Sequence, residues 1–541
     1  MHYKKNRKMK TLKSIGIMLL LMAITNLAFS QQQKYYRVKI YTGANTLAQL
    51  SSLGVTIDHG DVEERKHFIS EFSEAELALI KKSGAKYEVL IEDMSNWYQL
   101  RNKGVVGQED ISQSKQAADC NFTTPSNFTL GSMGGFYTYD EMLAVLDNMR
   151  TKFPSLITRK KVVSNTIKTT EGSPLYIVKI SDNPGKTESE TKVLYTALHH
   201  AREPMSAMQL ITYMWYLLEN YNTNADVKNI VDNAELYFIP CVNPDGYIYN
   251  QTTNPNGGGM WRKNRSNNTG GTKGVDLNRN YGYEWGYDNI GSSNQSSSDT
   301  YRGPSAFSEP ETQCIKQLCQ RMKFTAAINN HSYSNLLIYP WGYKPNFTTP
   351  DQAVFAAWSA DMTECNNFQA GTPNQTVGYT ANGSSDDWMY GEQTEKPKII
   401  AFSPETGSLL DGFWPAKTKI ESLSKKNLDM NLSFARQAIN STKKDAEKNT
   451  TIAKITTSIS PNPVHSMAVV HYKLPIEKAT TISDGKIEIY NFTGMVIKQI
   501  ALSQTGSTVQ INLNDLKDGV YYYRVFIDNF SSDLQQLQVV H

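Results

Sequence analysis

From residue 31 onward the chain falls into blocks that differ in hydrophobic period. Residues 31–93 read as a small α+β unit. Tyr35–Tyr41 alternates as a strand does, Leu47–Leu53 reads as a helix, Val55–Asp58 and His67–Phe72 read as extended segments, and Lys86–Ile91 as a closing strand. Ser73-Glu-Ala-Glu76 is a capping box, opening a helix that stops at Gly84. The order β-α-β-β-α-β predicts a ferredoxin-like fold. Residues 94–133 are polar and rich in Gly, Ser and Asn, with basic residues at Arg101, Lys103 and Lys115. That composition predicts an exposed, cleavable linker.

The largest block, 134–440, opens on a second capping box, Thr138-Tyr-Asp-Glu141, ahead of a helix over Met142–Phe153. Strand candidates follow at Leu175–Ile180, Lys192–Leu198, Ala234–Val242, Phe324–Asn329 and Lys398–Phe402. Helical stretches lie between them, notably Met205–Tyr221, apolar around much of its circumference. Buried strands alternating with helices predict an α/β domain with a central mixed, mainly parallel sheet flanked by helices. Residues 441–454 are charged and polar and predict a second linker. From 455 to 541, short runs at Val469–Leu474, Lys486–Tyr490, Val496–Ile500, Val509–Leu513 and Val520–Ile527 are separated by turns such as Asn462-Pro463 and Asp518-Gly519. That spacing predicts a small β-sandwich.

Composition changes this picture at the N-terminus. Of 55 Lys and Arg, six (Lys4, Lys5, Arg7, Lys8, Lys10, Lys13) precede the apolar run Ile15–Ile24, and Ala28-Phe-Ser30 then offers small residues before Gln31. Residues 1–30 therefore read as a signal peptide. Without them the balance is 49 basic against 52 acidic residues, which excludes the global positive field that nucleic acid or anionic lipid would need. No later stretch is long and apolar enough to span a bilayer, so no integral membrane span is expected after signal removal. The five cysteines (Cys120, Cys241, Cys314, Cys319, Cys365) are too few for a disulfide scaffold and lack metal spacing; Cys241 reads as a small core hydrophobe.

Histidine usage points to chemistry. Of nine histidines, the central block holds three: His199 and His200 at one strand end, in Leu198-His-His-Ala-Arg-Glu-Pro204, and His331 after another. Zinc takes imidazole nitrogens and carboxylate oxygens in tetrahedral array, with one position open when it is catalytic. His200 and Glu203, three apart across a strand-to-helix turn, and His331 from a neighbouring strand end make a His₂Glu set at the edge where α/β sheets bind ligands. On spacing alone His199, four residues before Glu203, fits as well.

The central block resembles the zinc carboxypeptidase family (the funnelin-type metallocarboxypeptidases). The resemblance rests on Phe136-Tyr-Thr-Tyr-Asp-Glu141, His200-Ala-Arg-Glu203, Asn243-Pro-Asp-Gly246, Trp261-Arg262-Lys263, Asp276-Leu-Asn-Arg-Asn280, His331-Ser-Tyr-Ser334, Tyr379, Ser384-Ser-Asp-Asp-Trp388, and Glu405 before Gly412-Phe-Trp-Pro415, all in family order. It implies that His200 rather than His199 joins Glu203 and His331 on one zinc ion per catalytic domain, which lowers the pKa of bound water and polarises the scissile carbonyl. It also implies Glu405 as general base and acid, and Arg262 as the stabiliser of the tetrahedral oxyanion. Asn278 and Arg279 then grip the terminal carboxylate of the substrate. Arg202 binds substrate too, Tyr379 closes on the bound end, and Asp386 lies in the pocket for the departing side chain, which suggests a basic or mixed preference.

The implied activity is removal of single C-terminal residues from peptides or proteins. A peptidoglycan stem-peptide amidase on the same scaffold and a non-catalytic peptide-binding relative are the rival readings. Residues 31–93 resemble the family's pro-segment in element order, which implies a zymogen whose cleft is covered until the linker is cut. The tail resembles the C-terminal sorting domain of the type IX secretion pathway, through Ile459-Ser-Pro-Asn-Pro463, Ile487-Glu-Ile-Tyr-Asn491 and Leu516-Lys-Asp-Gly-Val-Tyr-Tyr522. That implies contact with secretion machinery and a secreted or cell-surface location.

Overall fold

The computed structural model describes residues 33–43, 46–63, 66–106, 120–451, 455–473, 485–492, 494–502, 507–528 and 530–541; the predicted signal peptide, 1–30, lies outside them. The chain divides into two compact units, Met1–Ile439 and Asn440–His541.

The first unit begins with β1 (Tyr35–Tyr41), α1 (Thr46–Ser52), β2 (Asp61–Glu63), β3 (His67–Ser73), α2 (Glu74–Ser83) and β4 (Tyr87–Ile91). Both neighbours of β1 run antiparallel to it, in the sheet order β2-β3-β1-β4. The capping box forms as the sequence predicts. Ser73 Oγ accepts from Glu76 N, the Glu76 carboxylate accepts from Ser73 N, and Gly84 ends α2 in the left-handed conformation at φ 77°. One expectation fails: Val55–Asp58 is not a strand. It is a buried, irregular segment, and the pairing with β3 is made instead by Asp61–Glu63. Val55 and Ile57 face the small domain's core, which by itself accounts for the alternation seen in the sequence.

The predicted linker, 94–133, is also ordered at its start. Asp93 caps α3 (Met94–Asn102) by accepting from Asn96 N at 2.9 Å. Met94, Tyr98 and Arg101 fall on one face of α3 and are buried. The Tyr98 hydroxyl donates to Glu71 at 2.9 Å and accepts from Phe413 N at 3.0 Å. The Arg101 guanidinium donates to the carbonyls of Leu410 (2.7 Å), Asp411 (3.1 Å) and Trp414. Reading this stretch by composition overlooked that buried stripe. Further along, Cys120 is joined to Cys365 by a disulfide; Cys241, Cys314 and Cys319 are free and buried.

The larger domain is built on an eight-stranded sheet of β5 (Lys161–Val162), β6 (Tyr176–Ile180), β7 (Thr191–Ala197), β8 (Ala234–Ile239), β9 (Ala326–Asn330), β10 (Leu336–Ile338), β11 (Gln369–Gly371) and β12 (Ile400–Glu405), in the order β11-β10-β12-β9-β7-β8-β6-β5. The four central strands β12, β9, β7 and β8 are parallel, and antiparallel pairs begin at β10 and β6. The sheet is therefore mixed and mainly parallel at its centre, as the pattern predicts. Helix α4 (Tyr139–Lys152) carries the second capping box, and α5 (Pro204–Asn220) is buried from Pro204 to Leu218, matching its apolar circumference. The short strands β5, β10 and β11 gave too few alternating positions to be read.

Glu311, in the first turn of the helix Pro310–Met322, is enclosed in this domain. Its Oε1 has no hydrogen-bond partner and its Oε2 accepts from Asn264 Nδ2 at 3.2 Å. Burial, with Glu309 and Asp245 nearby, pushes its carboxyl up to about 8. The folded chain thus keeps a proton that the unfolded chain releases near 4.5, and stability from this group falls as pH rises from there through about 8. Thermal unfolding should show Glu311→Gln raising the melting temperature by about 2–5 °C at pH 8.5 and changing it little at pH 5.

The second predicted linker, 441–454, is helical over most of its length, as the end of a helix spanning Leu428–Thr451. Its Lys, Asp, Glu and Ala content suits a helix as well as a linker. In the second unit, the sheet β13 (Thr456–Ser460), β14 (Met467–Lys473) and β17 (Thr508–Asn512) packs on that of β15 (Gly485–Tyr490), β16 (Val496–Ala501), β18 (Gly519–Ile527), β19 (Phe530–Ser531) and β20 (Gln535–Val539). Val470 and Ile511 of one sheet share a core with Ile487, Val525 and Leu537 of the other, which makes the predicted β-sandwich. Among the described residues no helix is long and apolar enough to cross a membrane.

Candidate functional site

Three adjacent parallel strands, β12, β9 and β7, end side by side. Each delivers a candidate residue at its C-terminal edge. His200 and Glu203 follow β7, His331 follows β9, and Glu405 is the last residue of β12. After β7 the chain turns sharply at Leu198, which takes a left-handed φ of 55°, while its N–H donates to Ser206 Oγ at 3.1 Å. The turn leaves Glu203 as the residue that caps α5.

The Glu203 carboxylate is fully buried between two imidazoles. His200 Nδ1 lies 2.7 Å from Oε1 and His331 Nδ1 lies 2.9 Å from Oε2. The opposite nitrogen of His200 lies 3.1 Å from Asp276 Oδ1. His199 is directed elsewhere, with Nε2 2.9 Å from the Tyr281 hydroxyl; burial and the neighbouring His331 hold its pKa well below that of free imidazole. Of the two histidines, His200 is the one whose ring faces Glu203.

Asp276 has a second partner. Arg262 Nε and Nη2 donate to its Oδ2 at 3.1 and 2.9 Å. Burial opposes this charge, but Arg262, His200 and Arg279 together hold the Asp276 carboxyl far below the ordinary range. Asn278 borders His331 with Nδ2 3.4 Å from Nε2, and its Oδ1 accepts from Ser385 N at 2.9 Å. Asp386 lines the same cleft, and burial raises its pKa. Arg202 ion-pairs with Asp299 at 3.2 Å, its guanidinium 4.3 Å above the Phe413 ring. Six of the ten residues picked out from the sequence, His200, Asn278, Arg279, Tyr379, Asp386 and Glu405, line one region of about 390 Å³, and Glu203 and His331 contact that lining through His200 and Asn278.

That region is shared with the N-terminal domain. Asp58 and His59 enter it and are buried there. Asp58 Oδ2 accepts from Arg262 Nη2 at 2.5 Å and from Arg279 Nη2 at 3.0 Å. Despite its burial, Arg262 and His59 hold the Asp58 carboxyl well below the ordinary range. Tyr379, half-buried, lies with its hydroxyl 3.5 Å from the Asp58 carbonyl. Tyr35 of β1 donates to Asp299 at 3.1 Å, beside Arg202.

Residues 142–430 match the family model described as zinc carboxypeptidase. The chain belongs to the zinc carboxypeptidase family. Its members are peptide hydrolases, and the chain is 30% identical over 372 residues to a zinc carboxypeptidase of Saccharothrix mutabilis subsp. capreolus, covering 64% of this chain and 81% of that one. It is 29% identical over 320 residues to carboxypeptidase A4 of Mus musculus, covering 58% and 70%. The fold is that of carboxypeptidase A from Helicoverpa armigera (TM-score 0.60, 22% identity, 76% of this chain and 99% of that chain). It is also that of thrombin activatable fibrinolysis inhibitor (TM-score 0.57, 20% identity, 75% and 99%). Residues 458–537 match the secretion system C-terminal sorting domain, which indicates type IX secretion.

The donor set suits the metal that gives the family its name. Two imidazole nitrogens face one carboxylate, the chemistry of a catalytic zinc site, and Asp276 sits behind His200 as an orienting carboxylate. Glu405 Oε2 is buried beside them without a hydrogen-bond partner.

Reading the sequence missed three participants. Asp276 stood inside a quoted motif but received no role. Asp58 and His59 were absorbed into a predicted strand and its end. The available signal was an Asp-His-Gly triplet in a chain of only nine histidines.

Proposed function

We propose that the chain is an exported zinc carboxypeptidase that releases one residue at a time from the C-terminus of peptides or proteins. Residues 31–93 hold it latent. The observation that supports this best is the seat of Asp58. One carboxylate oxygen of the chain itself lies between the guanidinium groups of Arg262 and Arg279, occupying at once the arginine proposed for the oxyanion and the one proposed for the substrate's terminal carboxylate.

His200, Glu203 and His331 hold the zinc, one per catalytic domain. Bound there, zinc supplies Lewis acidity toward the scissile carbonyl and toward water. Glu405 takes the proton from the attacking water and returns it to the leaving amine. Arg262, fixed by Asp276, faces the developing negative charge on the carbonyl oxygen. Asn278 and Arg279 orient the substrate's carboxylate, with Arg202 beside them. Tyr379 closes over the bound end once the N-terminal domain has left. Asp386 in the side-chain pocket favours a basic or mixed preference. The predicted signal peptide at residues 1–30 and the match to a sorting domain support a location outside the cell or on its surface.

The test compares peptides ending in Lys and in Leu, each as free acid and as amide, after removal of the N-terminal domain. The free acids should be cleaved, the amides at least about 10²-fold more slowly, and a strong chelator should abolish turnover. Equal cleavage of amide and acid would contradict the roles of Asn278 and Arg279.

A further inference from the structure

His59 is the deepest intruder into the site. Its side chain is 3% exposed. Nδ1 lies 2.7 Å from Asp58 Oδ1, a pairing that fixes the ring with Nδ1–H donating to that carboxylate. Nε2 is directed into the site. It lies 3.2 Å from Glu203 Oε1 and 3.5 Å from Glu405 Oε2, but without the alignment of a hydrogen bond. Two carboxylates converging on one buried nitrogen need positive charge beside them, and a metal ion between Nε2 and the carboxylates supplies it. His59, His200 and Glu203 each offer a ligand atom, all within 4.8 Å of one another. Tetrahedral zinc, with bonds of about 2.0–2.1 Å, sets its ligand atoms about 3.3 Å apart; His59 Nε2 stands 3.2 Å from Glu203 Oε1, and His200 Nδ1 stands closer to that oxygen, at 2.7 Å.

We infer that His59 is a metal ligand supplied by the N-terminal domain. In the uncut chain it joins His200, Glu203 and His331 and closes the position that catalysis must keep open. This rests on the zinc carboxypeptidase reading and adds to it a mode of latency. The domain does not merely cover the cleft; it completes the metal's coordination, turning an open catalytic site into a closed structural one. Nδ1–H stays hydrogen-bonded to Asp58 while Nε2 binds through its lone pair, and any proton held on Nε2 passes to solvent.

X-ray absorption at the zinc edge of the full, uncut chain tests this without relying on activity. Three imidazoles per zinc are expected in the wild type, and two in His59→Ala and His59→Gln. Transfer of zinc to a competing chelator should be about tenfold faster from both variants than from wild type. The wild-type spectrum needs no variant, so misfolding of a substituted chain cannot imitate the result. Zinc bound with two imidazoles in the wild type, or released equally fast from all three chains, would overturn the role of His59 and leave the carboxypeptidase reading intact. Failure of the wild type to bind zinc at all would sink both.

Discussion

Glu405→Gln is expected to lower kcat by about 10²–10⁴-fold while the protein keeps one zinc per chain. The substitution preserves shape and one hydrogen-bonding oxygen and removes only the ability to take a proton. Glu405 ends β12, next to His331 across a bridge, and so borders the metal-binding set without being clasped by its imidazoles. Its Oε2 is buried and has no hydrogen-bond partner, which leaves it free to receive a proton in the cleft. Kinetics on the chain freed of its N-terminal domain, beside metal analysis of the same sample, checks this. Loss of zinc together with activity would make Glu405 a ligand rather than a base. Unchanged kcat would mean that another group moves the proton.

Cutting the chain between Lys103 and Cys120 should raise kcat/KM by about 100-fold or more. The N-terminal domain engages each part of the proposed machinery at once. Asp58 occupies Arg262 and Arg279, His59 reaches Glu203 and Glu405, and Tyr35 leans on the Asp299 partner of Arg202. If these contacts favour the covered state by about 2.7 kcal/mol, fewer than about one molecule in a hundred is open. The cut has to fall beyond α3, because Arg101 is buried against three carbonyls and presents a poor target to a protease. Lys103 is exposed, and Lys115 lies before the Cys120–Cys365 disulfide, so cleavage at either site severs the covering domain from the enzyme. Limited tryptic digestion followed by a peptide assay reads this out. Equal activity before and after the cut would leave residues 31–93 as a permanent accessory domain.

Much of this was legible because the relevant signals are local. Capping boxes at Ser73 and Thr138, the buried runs that became β7, β8, β9 and β12, and the His200–Glu203 spacing are each set by a few neighbouring residues. The proposed metal-binding set could be assembled because parallel strands deliver their ends to one edge, so residues far apart in sequence converge by topology alone. The failures are of another kind. The run from Val55 to Asp58 alternates because Val55 and Ile57 fill a core, and alternation looks the same whether or not a strand forms. Instead of pairing in the sheet, the end of this run makes tertiary contacts, from Asp58 and His59 to arginines and carboxylates more than a hundred residues away. Residues 94–102 looked like a linker because polar residues outnumber apolar ones, although three well-spaced side chains are enough to dock a helix.

The central claim is that one zinc is held by two imidazoles and a carboxylate at the ends of β7 and β9. Anomalous diffraction from crystals of the protein, collected on either side of the zinc absorption edge, measures it directly. The account predicts a single strong peak about 2.0–2.2 Å from His200 Nδ1, His331 Nδ1 and a Glu203 oxygen. No peak there, or one coordinated by His199, would contradict it.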